Sequence, residues 1–297
     1  VVPLDAASID AAIEKLRPLK VEAIAISLLF SFLDPSHEQR VRARVQQALP
    51  GVDVSLSSEV DPAFREYERT VVTAFDAYIK PVVDRYLANL AKGLAANGVP
   101  APLQVMQSRG GLAGVDTARQ RPVRLFLSGP AAGAIGSAAV GKADGFEDLI
   151  TIDVGGTSSD IALVEGGTVH ARPETQIAGY AVRVPMLDVT TLGAGGGSIA
   201  WIDAGGGLRV GPHSAGSDPG PACYGRGGRL PTVTDASVVL GYLDTSGLAG
   251  GAVSLDPALA HAAIEETIAR PLGIDVVTAA LGIHRIANAH MGDGIRL

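Results

Sequence analysis

Hydrophobic positions change period several times along the chain, and each change marks an expected element. Between Ser8 and Leu16 apolar residues recur at three and four, with Asp5 or Ser8 as N-cap, which predicts a helix. Val21–Phe32 is a β-branched and apolar run that predicts a buried strand. Asp34-Pro35-Ser36 opens a helix over His37–Leu49, Pro50-Gly51 closes it, and Val52–Leu56 predicts a short strand. This α-β-α-β order suits one half of an open sheet with helices on its faces. From Asp61 to Asn97, residues Phe64, Tyr67, Val71, Val72, Phe75, Tyr78 and Ile79 recur at three and four. One long helix or two with an apolar face is expected there, kinked or restarted at Pro81 and closed by Gly98. Arg65, Glu66, Glu68 and Arg69 read as its solvated face, lining of a cleft being the alternative.

Leu103–Gln107 predicts another strand, with Ser108-Arg109-Gly110-Gly111 as its exit loop, where α/β sheets place ligands. Arg109 and Gly110 are therefore candidates for substrate contact, against an ordinary βα turn. In Leu125–Val140, small residues follow a helix start at Pro130 and permit the close backbone packing a hinge needs.

The stretch with most chemistry is Leu149–Val169. It reads as a strand (Leu149–Val154), a turn (Gly155, Gly156, Thr157, Ser158), a second strand (Asp160–Val164), a Glu165-Gly166-Gly167 turn and a third strand. Two glycines let backbone N–H groups approach an anion, and Thr157, Ser158 and Ser159 add hydroxyls. Asp153 and Asp160 flank the turn, as carboxylates do around a hydrated Mg²⁺ beside a phosphate. A plain glycine-rich hairpin is the alternative. After an apolar Val182–Val189 strand comes a second glycine cluster, TTLGAGGGS, in which Gly193, Ala194, Gly195, Gly196, Gly197 and Ser198 set backbone donors against something flat or anionic. Asp188 precedes it and is placed to orient the loop or a metal-bound water, or else to be a buried, backbone-bonded carboxylate.

Ile199–Ile202 and Leu208–Val210 predict a hairpin. Pro212–Gly228 is too long for a mere connection, so Asp218 and its neighbours are expected to line the active cleft or a subunit contact. His213 and Cys223 lie there without a second ligand at metal spacing. Thr232–Asp235 should cap a helix over Ala236–Leu240, with further helices at Asp256–Ile268 and Val276–Met291. His284 and His290 on the last helix read as structural.

Composition narrows the class. The 297 residues are 47% hydrophobic and only 4% aromatic, with 37 glycines, which suits aliphatic α/β layers with tight turns. A formal charge of −7 without a basic run argues against a nucleic-acid partner. No apolar run is long enough to span a membrane, and the single Cys223 fits a reducing cytoplasm.

DVGGTSSD resembles the second phosphate hairpin of the actin-like ATPase superfamily. More narrowly, SEVDPAFREYERT, LFLSGPAAGAIGSA, TIDVGGTSSDIALV, VPMLDVTTLGAGGGSIAWID and SAGSDPGPACYGRGG resemble the hydantoinase A / 5-oxoprolinase family, which includes acetone carboxylase subunits. The resemblance implies a two-lobed α/β fold with ribonuclease H-like sheets, incomplete at both ends. Residues 1–146 would close lobe one with its crossing helix, and 147–297 would open lobe two. It implies ATP and Mg²⁺ as cofactors, Asp153 (through water, as metal contact) and Asp160 as catalytic residues, and the nucleotide's phosphate and ribose at 193–198. At Ser128-Gly129-Pro130 there is no counterpart of the water-orienting acid of chaperone ATPases, which favours phosphoryl transfer to a bound substrate. The implied activity is ATP-dependent opening of a cyclic amide, with a hydantoinase B-like subunit or domain as partner in an oligomer. A ketone carboxylase subunit and a nucleotide-binding module without turnover are the alternatives.

Overall fold

The computed structural model describes residues 3–177, 179–246 and 253–296. The fold is mixed α/β. Two compact units emerge from its contacts: Val1–Ile135 with His170–Asp188, and Gly136–Val169 with Val189–Leu297.

In the first unit Asp5 caps the helix Ala6–Leu16, its carboxylate accepting from Ala7 N at 3.0 Å. Strands Ala23–Ile26 and Asp53–Leu56 pair in parallel, joined through the helix Ser36–Ala48. Ile9, Ile13, Ile26, Val45, Val54 and Leu56 form the core beneath them. The first strand is shorter than the apolar run Val21–Phe32 predicts. Beyond Ile26 the chain turns, with Leu28 N donating to the Glu38 carboxylate at 2.9 Å and Phe30 held at φ +59°.

Glu66–Ala96 is one helix, with Pro81 accommodated inside it. Its buried face differs from the aromatic stripe. Tyr67 and Tyr78 are exposed, while Arg69, Val72, Thr73, Asp76, Ala77, Pro81 and Leu87 are buried. Arg69, expected on the solvated face, is fully buried, and the reason is hydrogen bonding. Its guanidinium donates to Ser57 Oγ (3.1 Å), Ala63 O (2.8 Å) and Leu28 O (2.9 Å), while Ser57 Oγ donates to buried Glu38 at 2.6 Å. A charge so supplied with partners avoids the penalty of an unpaired buried ion.

The strand expected at Leu103–Gln107 is Gln104–Met106, and it pairs antiparallel with Leu112–Gly114. Ser108–Gly111 is thus the turn of a hairpin rather than a strand-to-helix exit. Val182–Val189, expected as one strand, is divided. Tyr180–Val182 pairs with Thr175–Ile177, Met186–Leu187 pairs with Ala171–Arg172, and Val189 begins a third strand. Val182, Val184 and Met186 pack with Val72 and Val123 in a second core.

The second unit centres on an antiparallel sheet in the order Val189–Leu192, Ser159–Glu165, Leu149–Val154, with Thr168–Val169 also on Ser159–Glu165. The meander expected around Gly155 and Gly166 is present. Ser198–Ile202 and Leu208–Ser214 form a hairpin. Helices Val233–Val239, Pro257–Ile264 and Val276–Arg296 pack around Ala200, Val210, Ala236, Ile264, Ile268 and Ile283. Gly294 of the last helix lies where a Cβ would run into Leu192 Cδ1, so the absent side chain permits that packing.

Candidate functional site

The hairpin Leu149–Glu165 positions the candidate site. Its register sets Asp153 opposite Asp160 and Val154 opposite Ser159. Gly155 N closes the turn by donating to Ser158 O at 2.8 Å. Directly opposed residues in an antiparallel pair project from the same face, where like charges repel. Two carboxylates therefore stand together at the mouth of the turn. Asp160 also receives the hydroxyl of Thr191 from the strand on its other side, which fixes one of its oxygens.

The second glycine cluster meets the first, which the sequence did not disclose. Gly196 N donates to Gly155 O at 3.0 Å and Gly197 N donates to Gly156 O. A Cβ built on Gly195 would lie 2.7 Å from Gly155 O and 2.8 Å from Ser158 N, and one on Gly197 would lie 2.8 Å from Gly156 O. Glycine is required because backbone approaches backbone. The cluster is held from behind: Thr234 N and Oγ1 donate to Gly196 O at 2.7 and 2.8 Å, and Ala215 N donates to Gly197 O at 2.9 Å. Gly195 N donates to Ser198 Oγ, Ser198 N to Gly195 O, and the buried Ser159 hydroxyl to Ala194 O. The donors of Gly195, Gly196, Gly197 and Ser198 are thus committed within the protein. Gly196 and Gly197 donate to the hairpin turn, and Gly195 and Ser198 to each other, because two glycine runs without side chains close onto each other.

Anion-binding capacity accordingly concentrates in Gly156, Thr157 and Ser158. Among the described residues, no protein acceptor takes their N–H groups. Gly155, Gly156 and Thr157 are exposed and Ser158 is half-buried. Successive N–H groups in a turn, stiffened from behind, form a concavity suited to a phosphate. Thr157 Oγ1 lies 3.3 Å from Ser214 Oγ, so one hydroxyl donates to the other. Among the described residues there is no group of three or more His, Cys, Asp or Glu arranged for a metal ion. Asp153 and Asp160 instead fit a Mg²⁺ that keeps most of its ligands as water and phosphate oxygens.

The remaining expected residues lie elsewhere. Arg109 is exposed on its hairpin turn, and Gly110 has φ +86° in a place where a Cβ would meet Ile135. Asp188 is neither fully buried nor free. Arg172 Nε sits 2.7 Å from its carboxylate. Asp218 is exposed within 212–228. That segment is anchored by a residue read from the sequence only as a helix cap. Asp235, fully buried, accepts from Thr232 N (2.8 Å), Thr232 Oγ1 (2.8 Å), Cys223 N (2.8 Å) and Ala222 N (3.3 Å). The Thr232/Asp235 spacing announced the capping box. Nothing local announced Ala222 and Cys223 as further partners of the carboxylate. Cys223 is buried, and burial followed by the Asp235 charge pushes its thiol far above the ordinary range, which disqualifies it as a nucleophile. His284 is tied to Ser237 Oγ at 3.1 Å and stacks edge-on against Tyr242.

Residues 69–297 match the family model described as Hydantoinase/oxoprolinase, and residues 1–49 match the model of its N-terminal region. The chain belongs to the hydantoinase/oxoprolinase family. It is 47% identical over 294 residues to caprolactamase subunit alpha of Pseudomonas jessenii, covering 99% of this chain and 42% of that protein. Among solved structures it is similar to the ATP-dependent caprolactamase of the same organism, with TM-score 0.78, 46% identity, and coverage of 99% of this chain and 42% of that one. Nucleotide-free acetone carboxylase aligns with TM-score 0.85 at 30% identity, covering 100% of this chain and 42% of that one. The chain thus spans about two fifths of the length of these relatives. Among the described residues no helix is long and apolar enough to cross a membrane.

Proposed function

We propose that this chain is the central portion of an ATP-dependent cyclic amidohydrolase, a two-lobed actin-like enzyme in which residues 1–146 close lobe one and 147–297 open lobe two, apart from His170–Asp188, which packs with the first unit. The observation that carries the reading is the exposed turn Gly156–Ser158, with three uncommitted N–H donors and the opposed Asp153 and Asp160 at its mouth. Gly156, Thr157 and Ser158 would hold a nucleotide phosphate, and Asp153, through water, and Asp160 would hold a Mg²⁺, which would neutralise charge on the phosphates. ATP supplies a phosphoryl group to the ring carbonyl oxygen, which makes the ring carbon open to water; net, amide, ATP and two waters give amino acid, ADP and phosphate. The first turn of helix Ser128–Ala143 carries no acid to orient an attacking water, which supports transfer to a bound substrate. Gly193–Ser198 then acts as the brace of the phosphate turn, its nearer residues flanking the nucleotide. A cyclic amide is favoured over a ketone because identity to the caprolactamase subunit, 47%, exceeds the 39% to the acetophenone carboxylase gamma subunit and the 30% to the acetone carboxylase beta subunit. The enzyme works in the cytoplasm, as an oligomer with a hydantoinase B-like subunit or domain.

The test is ADP release by the intact parent protein with its partner. Stimulation by caprolactam, 5-oxoproline or hydantoin supports the reading. Stimulation only by a ketone with bicarbonate transfers the chain to the carboxylases, and nucleotide binding without any substrate-stimulated turnover makes it a binding module.

A further inference from the structure

The first unit gathers cations that lack counter-ions. Ser108 N and Oγ both donate to Arg124 O, at 2.7 and 2.6 Å, which seats the hairpin turn bearing Arg109 on the short helical turn Pro122–Leu125. Arg124 N in turn donates to Arg121 O at 3.2 Å. Arg109, Arg121 and Arg124 are thereby brought together from two segments. Arg119, between them in sequence, shows the ordinary arrangement: it pairs with Asp84 at 2.7 Å and lies 3.7 Å from Asp116. Among the described residues the other three have no carboxylate within ion-pair distance.

The acid that Arg121 and Arg124 feel is Asp76, but its oxygens already accept from Ser55 Oγ at 2.7 Å and Val123 N at 3.2 Å, with Lys80 Nζ at 3.9 Å. Burial, then Arg121, then Arg109, hold the Arg124 guanidinium below its ordinary range. Arg121 and Arg124 are both half-buried. Partly desolvated like charges side by side are unfavourable until an anion joins them, and guanidinium forks match the paired oxygens of a carboxylate or a phosphate.

We propose that Arg109, Arg121 and Arg124 form a binding site for a small oxyanion, a carboxylate or a phosphate. All three arginines, and the residues that seat them, belong to the first unit.

The full chain is titrated calorimetrically at low ionic strength with sodium acetate and, separately, with inorganic phosphate. The expected result is a saturable site for at least one of them, weakened tenfold or more in Arg121→Gln and Arg124→Gln. Arg85→Gln, which removes the same charge from an exposed pair with Glu22, should move it less than twofold. Weakening confined to acetate assigns a carboxylate, and weakening confined to phosphate assigns a phosphate. Binding that survives both arginine substitutions, or that falls equally in Arg85→Gln, overturns the proposal, as does the absence of a saturable site. A second readout separates binding from a structural role. In anion-poor buffer Arg121→Gln should melt no lower than the wild type, since a crowded charge is removed; a drop of several degrees would mark the arginine as a structural tie and refute the site.

Discussion

Replacing Gly195 with alanine tests the interlock of the two glycine runs. The added Cβ falls 2.7 Å from Gly155 O, 2.8 Å from Ser158 N and 2.9 Å from Gly156 O. All three are backbone atoms, so no side chain can rotate out of the way and the two turns must part. Overpacking of this kind is destabilising by about 1–3 kcal/mol. Parting also lengthens the bonds from Gly196 N and Gly197 N to the turn carbonyls, each contributing about 0.5–1.5 kcal/mol. The combined loss, about 3 kcal/mol, corresponds to a fall in melting temperature of about 6–12 °C, at about 2–4 °C per kcal/mol. Gly193→Ala is the control, because nothing lies within 4 Å of its Cβ. Melting is followed by circular dichroism, and phosphate-turn integrity by binding of a fluorescent ADP analogue to the intact parent. Gly195→Ala should lose both stability and affinity while Gly193→Ala keeps its stability. If Gly195→Ala melts within about 2 °C of the wild type, at the roughly 2–4 °C per kcal/mol already used, the close approach is not a constraint and the brace argument fails.

Other consequences can be checked separately. Arg69→Ala removes a buried guanidinium with three acceptors and should lower stability by about 3–5 kcal/mol in urea denaturation, whereas Arg65→Ala, at an exposed neighbour, should change it by less than about 1 kcal/mol. Burial raises the Glu38 carboxyl, but the hydrogen bonds from Ser57, Ser58 and Leu28 prevail and hold it below the usual glutamate range. Its contribution to stability is therefore complete above the ordinary glutamate pKa and lost as pH falls through the lowered value in the folded chain. Glu38→Gln should flatten that acid limb in a melting-versus-pH series, and an unchanged limb would contradict the assignment. Cys223 should resist a thiol-specific reagent in the native chain and react fully in denaturant. Asp235→Ala strands four donors and should expose Pro212–Gly228 to limited proteolysis while lowering stability by about 2–4 kcal/mol.

The hairpin around Gly155 was legible because its signals are local: alternating apolar positions, a glycine pair and hydroxyls within a few residues. Caps at Asp5 and Thr232 were legible for the same reason. What escaped reading depends on partners far along the chain. TTLGAGGGS reported that a close approach occurs but not that its object is the turn at Gly155–Gly156. Arg69 looks like any helix-surface cation until Leu28, Ser57 and Ala63 are brought to it from other segments. The run Val21–Phe32 has the composition of one long strand, yet Glu38 captures the Leu28 amide and ends the ladder early. Gln104–Gly114 was misread because an extended segment before a glycine turn does not declare whether a helix or a returning strand follows.

The long helix Glu66–Ala96 is fastened at intervals of about two turns. Arg69 binds the Leu28, Ser57 and Ala63 acceptors, Asp76 receives Ser55 and Val123, and Asp84 receives Arg119. Spacings of seven and eight residues bring all three to one side of the cylinder. At 31 residues it is a rod of roughly 46 Å at 1.5 Å per residue. Sliding by one turn or rolling about its axis would break the three fastenings together. Shear along this helix would have to give up all three fastenings at once, whereas bending at the rod's ends leaves them in place.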